Sequence, residues 1–211
     1  MNKSISQISK TSLFFGFFML ANSCFVNSGQ ENPFYSKDMI QLKNSSYETH
    51  GINDEKLFLK SKEAKLNLKQ QEIYLLGDVV GQFSFDEENF RIMTENLTGN
   101  LLNNTFFSKE RVIFETRDIK ITSFGMQILQ NKTEGVKVIF SNAKFNKINS
   151  KSKLHEGKAN KIELFPSKDL IFMQGEAEFL ENNMKIISEE IYYDLSEERI
   201  TKSVKAKIIN L

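Results

Sequence analysis

Two stretches of the chain alternate apolar and polar residues with a period of two. Residues 73–85 (IYLLGDVVGQFSF) place an apolar side chain or glycine at every second position, and residues 171–179 (IFMQGEAEF) do the same. Because successive residues of a β-strand point to opposite faces, each stretch predicts a strand with one apolar face. Gly77 and Gly175 occupy equivalent positions in the two stretches, which indicates that the stretches are copies of one unit.

The flanking residues repeat as well. The segment RIMTENL at residues 91–97 aligns with KIISEEI at residues 185–191 once a four-residue difference in the preceding loop is allowed for. The unit is a strand, a short turn, a glycine-centred strand, a loop and a further strand. The chain therefore contains two repeat-like units, at about residues 57–101 and 157–195, and such repeats are informative about the fold.

The remaining pattern favours a fold made only of strands. No segment keeps apolar residues at helical spacing over three turns, and short strand-like segments recur roughly every 8–12 residues. This spacing predicts an all-β sandwich, barrel or jellyroll. Hydrophobic residues make up 40% and charged residues 26% of the 211 residues, which is typical of one folded domain. We expect that domain to cover residues 39–211.

The N-terminus has the pattern of an export signal in residues 1–24. Lys3 and Lys10 precede the uncharged segment at residues 13–21, which is shorter than the roughly 20 residues needed to span a bilayer. Cys24 lies three residues after this segment, at the end of the sequence ANSC, and is the only cysteine, so it is the candidate lipidation site of a bacterial lipoprotein. A cleaved secretory signal and a retained membrane anchor remain open alternatives. The polar residues that follow, 25–38, predict a tether.

Candidate chemistry is sparse. His50 and His155 lie in polar, turn-like segments without partners at metal-ligand spacing, so we expect solvated histidines. The glycines do not form a phosphate-binding loop, and the acidic runs lie in predicted loops. A net charge of +1 predicts no nucleic-acid partner. We therefore expect no catalytic residues, no metal site and no cofactor.

What remains is the apolar face of the predicted strands. These side chains either form the dry core of a sandwich or line a groove between splayed sheets that holds lipid tails. Gly77, Gly81 and Gly175 on this face leave room for bound chains, for tight sheet packing or for a bulge. The candidate groove residues are Leu75, Val79, Phe83, Phe85, Ile92, Phe114, Ile121, Val138, Met173, Phe179 and Ile186.

Several short motifs resemble proteins of lipopolysaccharide transport (Lpt). Residues 57–129 resemble the periplasmic domain of the LptC type, through a Gly-Asp-Val strand at 77–79, Thr-Glu-Asn-Leu at 94–97 and Gly-Met at 125–126. Residues 157–201 are similar to a repeat of the OstA-like, LptA-type bridge proteins. The resemblance implies an OstA-like β-jellyroll, or splayed β-sandwich, whose interior carries the acyl chains of lipopolysaccharide.

The resemblance also implies partners and a location. It implies a membrane-anchored periplasmic protein that accepts lipopolysaccharide from an inner-membrane ABC transporter and passes it to a periplasmic bridge protein. The alternatives are the soluble OstA-like bridge protein itself and, from other classes, a lipid-carrying or glycan-binding lipoprotein. None of the preferred functions is enzymatic.

The two ends of the predicted sheet are candidate contact points for those partners. Residues 39–42 predict a short edge strand at the N-terminal end, and residues 203–209 predict another at the C-terminal end. Unpaired main-chain groups on an edge strand are templates for strand addition. We expect the bridge protein to pair with the C-terminal edge, through the face that carries Val204, Ala206 and Ile208, and the N-terminal end to face the transporter.

Overall fold

The computed structural model describes residues 39–50, 56–85, 88–103, 105–131, 135–148 and 154–211. In these residues the chain forms twelve β-strands and one short 3₁₀ helix, Pro166–Lys168, in the turn after the eighth strand. The strands are β1 Met39–His50, β2 Lys56–Asn67, β3 Glu72–Phe85, β4 Glu88–Asn100, β5 Thr105–Glu115, β6 Ile119–Asn131, β7 Gly135–Ile148, β8 Leu154–Phe165, β9 Leu170–Glu181, β10 Met184–Asp194, β11 Arg199–Val204 and β12 Lys207–Asn210.

All twelve strands belong to one antiparallel sheet. From β1 to β11 each strand pairs with the next one along the chain, and β12 pairs with β10 beside β11. Consecutive antiparallel strands need only short connections, which fits the short polar segments between the predicted strands. Within the described residues, β1 forms one end of the sheet and β11 with β12 forms the other.

A line of backbone irregularities crosses the middle of the sheet. Neighbouring strands shift register there, for example between Lys60 and Glu63 of β2 and between Ser108 and Arg111 of β5. Such β-bulges bend the strand that contains them. The residues with positive φ on this line, which we call the crease, have values from 46° to 98° and are Asn44, Gly77, Asp78, Gly125, Asn142, Gly175, Glu176 and Lys205.

The bends fold the sheet onto itself. Tyr193 of β10 pairs with Ile171 of β9, and Phe179 lies eight residues further along β9. In a straight strand that separation is roughly 26 Å, yet the ring centroids of Phe179 and Tyr193 are 5.3 Å apart. The two halves of each long strand therefore face each other. We call the half-strands that include Tyr193 the first layer and those that include Phe179 the second layer.

Several hydroxyl side chains on the interior side of the crease form hydrogen bonds with one another or with carbonyls of the bends. The hydroxyls of Ser45 and Ser61 lie 3.0 Å apart, and those of Thr94 and Ser108 lie 2.9 Å apart. Ser61 and Ser188 each donate a hydrogen bond of 2.8 Å to the carbonyl two residues further on. Buried main-chain groups that lose their ladder partners are thus paired with side chains.

The buried hydrophobic residues of both layers form one cluster between them. A single unclosed antiparallel sheet folded over an apolar interior is an open β-jellyroll, so the predicted fold class is confirmed. The predicted limits of the two terminal strands are wrong. β1 continues through the crease at Asn44 to His50, and the C-terminal segment divides at Lys205, whose φ is 55°. In both places one residue adopts positive φ, within a segment whose sequence suggests a turn at the first place and an unbroken strand at the second.

Candidate functional site

The structure brings the predicted groove residues together in the jellyroll interior. Nine of the eleven are buried within the one hydrophobic cluster: Leu75, Val79, Phe83, Ile92, Phe114, Ile121, Val138, Met173 and Phe179. Ile186 is partly buried and packs against this cluster, and the side chain of Phe85 lies outside the described residues. Their common location follows from the period-two alternation, which puts them on one face of the sheet. Contact with lipid stays a prediction.

Aromatic rings contribute much of the interior surface. In one group Phe83 stacks on Phe90 at 4.7 Å, Phe90 contacts Phe114 at 5.6 Å, and Phe114 meets Phe140 edge-on at 5.3 Å. Since Phe114 and Phe140 belong to different layers, this group also joins the layers. Such an interior offers apolar contact to a hydrocarbon chain, at about 0.8 kcal/mol for each methylene group removed from water.

The glycines on this face act through the backbone. Gly77 and Gly175 have φ of 73° and 76° and lie on the crease, so the bulge explanation applies to both. At Gly81 a Cβ atom would lie 2.8 Å from Cδ2 of Leu59, so this glycine permits close side-chain packing. Backbone conformation or close packing therefore accounts for all three glycines, without a bound acyl chain.

One prediction about the polar residues is wrong. His155 is not a solvated histidine, because it is only 1% exposed and lies in β8. Its Nδ1 atom is 2.7 Å from the hydroxyl of Tyr193, and its Nε2 atom is 3.4 Å from Oε1 of Glu181. Burial, and next the nearby carboxylates, raise the pKa of Tyr193, so its hydroxyl stays protonated at neutral pH. The side chain of His50 lies outside the described residues.

A second buried polar residue, Lys147, was not singled out by the sequence. Its ammonium group binds the carboxylate of Asp118 and lies 3.5 Å from Oε1 of Glu198. Lys147 is paired with His155 in the sheet, so the two polar residues are neighbours on the interior face. Their position within an apolar interior depends on residues distant in the chain, and no local motif signals it.

The outer face of the first layer carries a buried carboxylate, Glu163. It lies 2.8 Å from Nζ of Lys137 and 2.6 Å from Nζ of Lys161. Burial acts to raise the pKa of Glu163, but hydrogen bonds from the two lysines and their charges outweigh it. The net pKa is below the ordinary glutamate value. This arrangement stabilises the sheet and faces away from the interior.

The predicted C-terminal contact residues lie at the end of the sheet but not on one continuous strand. Val204 ends β11, where its amide donates to Oγ of Ser188, while Ala206 and Ile208 follow the crease residue Lys205. Ile208 pairs with Ile186 of β10 and is 62% exposed. Pairing with another protein at this edge stays a prediction.

Neither a metal-binding cluster nor a membrane-spanning helix is found in the described part of the chain. Among those residues, no group of three or more histidine, cysteine, aspartate or glutamate side chains is placed to hold a metal ion. In the same residues no helix has the length and apolar character required to cross a membrane. Cys24, the predicted export signal and the tether lie outside the described residues.

Fold and interior together define an open β-jellyroll protein whose main chemical feature is an apolar interior packed between two layers. The family model described as "Lipopolysaccharide-assembly, LptC-related" matches residues 32–139. The family model described as "LptA/(LptD N-terminal domain) LPS transport protein" matches residues 91–199. Since each match covers slightly more than half of the 211 residues, the chain belongs to the lipopolysaccharide-transport family of LptC-related and LptA-type proteins. Membership implies a transport protein rather than an enzyme.

Comparison with solved structures gives a distant likeness to LptH from Pseudomonas aeruginosa, described as the LptA homologous periplasmic component of the conserved lipopolysaccharide transport device. That likeness has 14% sequence identity and a TM-score of 0.44, and it covers 74% of this chain and 94% of that chain. Among curated proteins, no sequence matches this chain.

Proposed function

We propose that this protein carries lipopolysaccharide through the periplasm by holding its acyl chains between the two layers of the jellyroll. The observation that carries the proposal is an apolar interior shared by both layers, in a chain that belongs to a lipopolysaccharide-transport family. A tail that buries ten methylene groups there gains about 8 kcal/mol. Because the interior side chains are buried against one another, the layers separate to admit a tail.

Loading an acyl tail has a small net cost in free energy, because interior side chains exchange contacts with one another for contacts with the tail. A tail that separates Phe114 from Phe140 replaces contacts between apolar groups with other apolar contacts. Dispersion and hydrophobic terms are then largely retained. The same argument makes unloading easy, which suits a protein that passes its cargo on.

The ends of the sheet are where we expect transfer to partners. Ile40 in β1 and Ile208 in β12 are 41% and 62% exposed, although each is paired with an interior residue, Leu66 and Ile186. A partner strand added to either end covers these side chains and extends the apolar interior. We infer that the N-terminal end accepts cargo from the inner-membrane ABC transporter and the C-terminal end passes it to the bridge protein.

Anchoring through Cys24 completes the proposal. A lipidated cysteine with several acyl chains holds a protein stably on a membrane, and residues 25–38 supply the tether. Cys24→Ser is expected to abolish palmitate labelling and to leave an uncleaved precursor or to release the protein to the soluble fraction. A parent protein without acyl label, whose variant remains in the membrane fraction, contradicts lipidation and indicates a retained anchor.

A second candidate is the soluble bridge protein itself. It is favoured by the match of residues 91–199 to the LptA-type family model. It shares the same interior and differs in anchoring, so the Cys24 experiment separates the two candidates. A soluble protein of the same fold in parent cells supports the bridge.

The carrier proposal is tested by photo-crosslinking in cells. Benzoylphenylalanine in place of buried Phe106 reports on the interior, and the same residue in place of Phe107, which is 42% exposed, reports on the outer face of the same strand. We expect a lipopolysaccharide adduct from position 106 and little from position 107. Equal adducts at both positions, or adducts at neither, contradict the proposed interior site.

A further inference from the structure

A buried polar cluster joins the two layers at the strand ends farthest from the crease. Lys147, His155 and Tyr193 each lie one residue from an end of β7, β8 or β10, and all three are buried. Acyl chains have no polar group to bind there, so carrying a tail does not explain these residues. Their contacts nevertheless cross from one layer to the other.

Two of those contacts fasten the layers together. The hydroxyl of Tyr193, in the first layer, lies 2.7 Å from Nδ1 of His155 in the second. The ammonium group of Lys147, in the second layer, lies 3.5 Å from Glu198, in the turn after β10. Asp118, at the adjacent end of the second layer, binds the same ammonium group.

The histidine has a polar neighbour at each ring nitrogen. Its Nδ1 forms the hydrogen bond with the Tyr193 hydroxyl, and its Nε2 faces Oε1 of Glu181 at 3.4 Å. Each polar group in the pair therefore has a partner while the layers are closed, and loses one when they separate.

The interior of the other half is lined by apolar side chains, and where β5 faces β7 the layers meet through the rings of Phe114 and Phe140, with centroids 5.3 Å apart. An acyl chain can replace one apolar contact with another. A chain inserted between His155 and Tyr193 instead leaves both groups buried without their partner, which is unfavourable.

We propose that the Tyr193–His155 hydrogen bond and the Lys147–Glu198 ion pair form a latch, which keeps the β7–β10 half of the interior shut. Acyl chains occupy the β1–β6 half first, and the β7–β10 half opens when the latch releases. The latch thereby sets the order in which the two halves fill. This inference rests on the proposed carrier function, but opening can be measured without any lipid.

Hydrogen–deuterium exchange of the purified full chain tests the latch itself. Tyr193→Phe removes one hydroxyl, and Tyr192→Phe is the matched control, because half-buried Tyr192 lies on the outer face of the same strand. We expect exchange of β8 and β10 amides to be about fivefold faster in Tyr193→Phe, the effect of about 1 kcal/mol on an opening equilibrium. Exchange in β3 and β4 should not change. An unchanged rate in β8 and β10, or an equal increase in all strands, overturns the latch.

Glu198→Gln tests the ion pair in the same assay and should increase the exchange rate of the same β8 and β10 amides.

Crosslinking to purified lipopolysaccharide tests the order of filling. With a photo-reactive residue at Met173, in the half of the interior that the latch closes, the initial rate of adduct formation should rise about fivefold on Tyr193→Phe. With the photo-reactive residue at Val79, in the other half, it should stay unchanged. Equal changes at both positions overturn the proposed order. If the parent forms adducts at neither position, the carrier function fails, while the exchange measurement still decides whether the layers are latched.

Discussion

Phe179 provides the most direct test of the two-layer interior. It is buried in the second layer, and its ring centroid lies 5.3 Å from that of Tyr193 in the first layer, 5.6 Å from His155 and 6.3 Å from Phe145. Phe179→Ala removes a complete aromatic side chain from a site that neighbours on both layers enclose. Substitutions of this kind lower the free energy of unfolding by about 3–5 kcal/mol.

The same strand contains a matched control. Phe172 lies on the outer face of β9, half-buried, with its ring 4.6 Å from that of Tyr192. We expect Phe172→Ala to lower the free energy of unfolding by about 1 kcal/mol, because little buried volume is lost there. Urea denaturation followed by circular dichroism measures both variants against the parent. Similar losses in the two variants refute the assignment of Phe179 to an enclosed interior.

Three further predictions concern other parts of the structure. Gly157→Ala should lower the free energy of unfolding by about 1–3 kcal/mol in urea titrations, since its new Cβ would lie 1.9 Å from Cε1 of Phe145; an unchanged midpoint contradicts this packing. Glu163 should stabilise the fold above its unfolded-state pKa, ordinarily 4.5, and this contribution should disappear as pH falls through its lower folded-state pKa. The loss of stability in Glu163→Gln relative to the parent should therefore be fully present at pH 7 and should shrink as pH falls below 4.5, whereas a constant difference between them rules this out. Ile208→Lys should leave the urea midpoint of the monomer unchanged but weaken crosslinking to the bridge protein, because Ile208 is largely exposed at the end of the sheet; undiminished crosslinking argues against that edge as the contact.

Local alternation was sufficient to predict the interior face. Val79 and Phe179 were assigned to the interior from their parity alone, and both are buried. The prediction also holds across the crease. Leu75 precedes the bulge at Gly77 and Asp78 and Val79 follows it, and both are buried, so odd-numbered residues face the interior on either side of the bulge. A period of two is a property of the strand itself, so no knowledge of distant residues is required.

The crease could not be predicted in the same way. Glycine at 77 and 175 allowed a bulge as one of three explanations, but Glu176 and Lys205 also adopt positive φ, which their side chains do not favour. Neighbouring strands bend at the same level of the sheet, and the pairing between strands imposes the positive φ of Glu176 and Lys205. The limits of β1 and the division of the C-terminal segment were missed for this reason.

Local patterns in the sequence are sufficient to predict an all-β chain with one apolar face, and its short motifs are sufficient to predict the transport family. The roles of the polar residues on that face depend on tertiary contacts. His155 stands in a segment rich in lysine, asparagine and serine, which suggested solvent exposure. Its environment is instead supplied by Tyr193, thirty-eight residues later, after the sheet has folded over at the crease. Burial depends on which layer lies opposite, and residues far apart in the chain determine that.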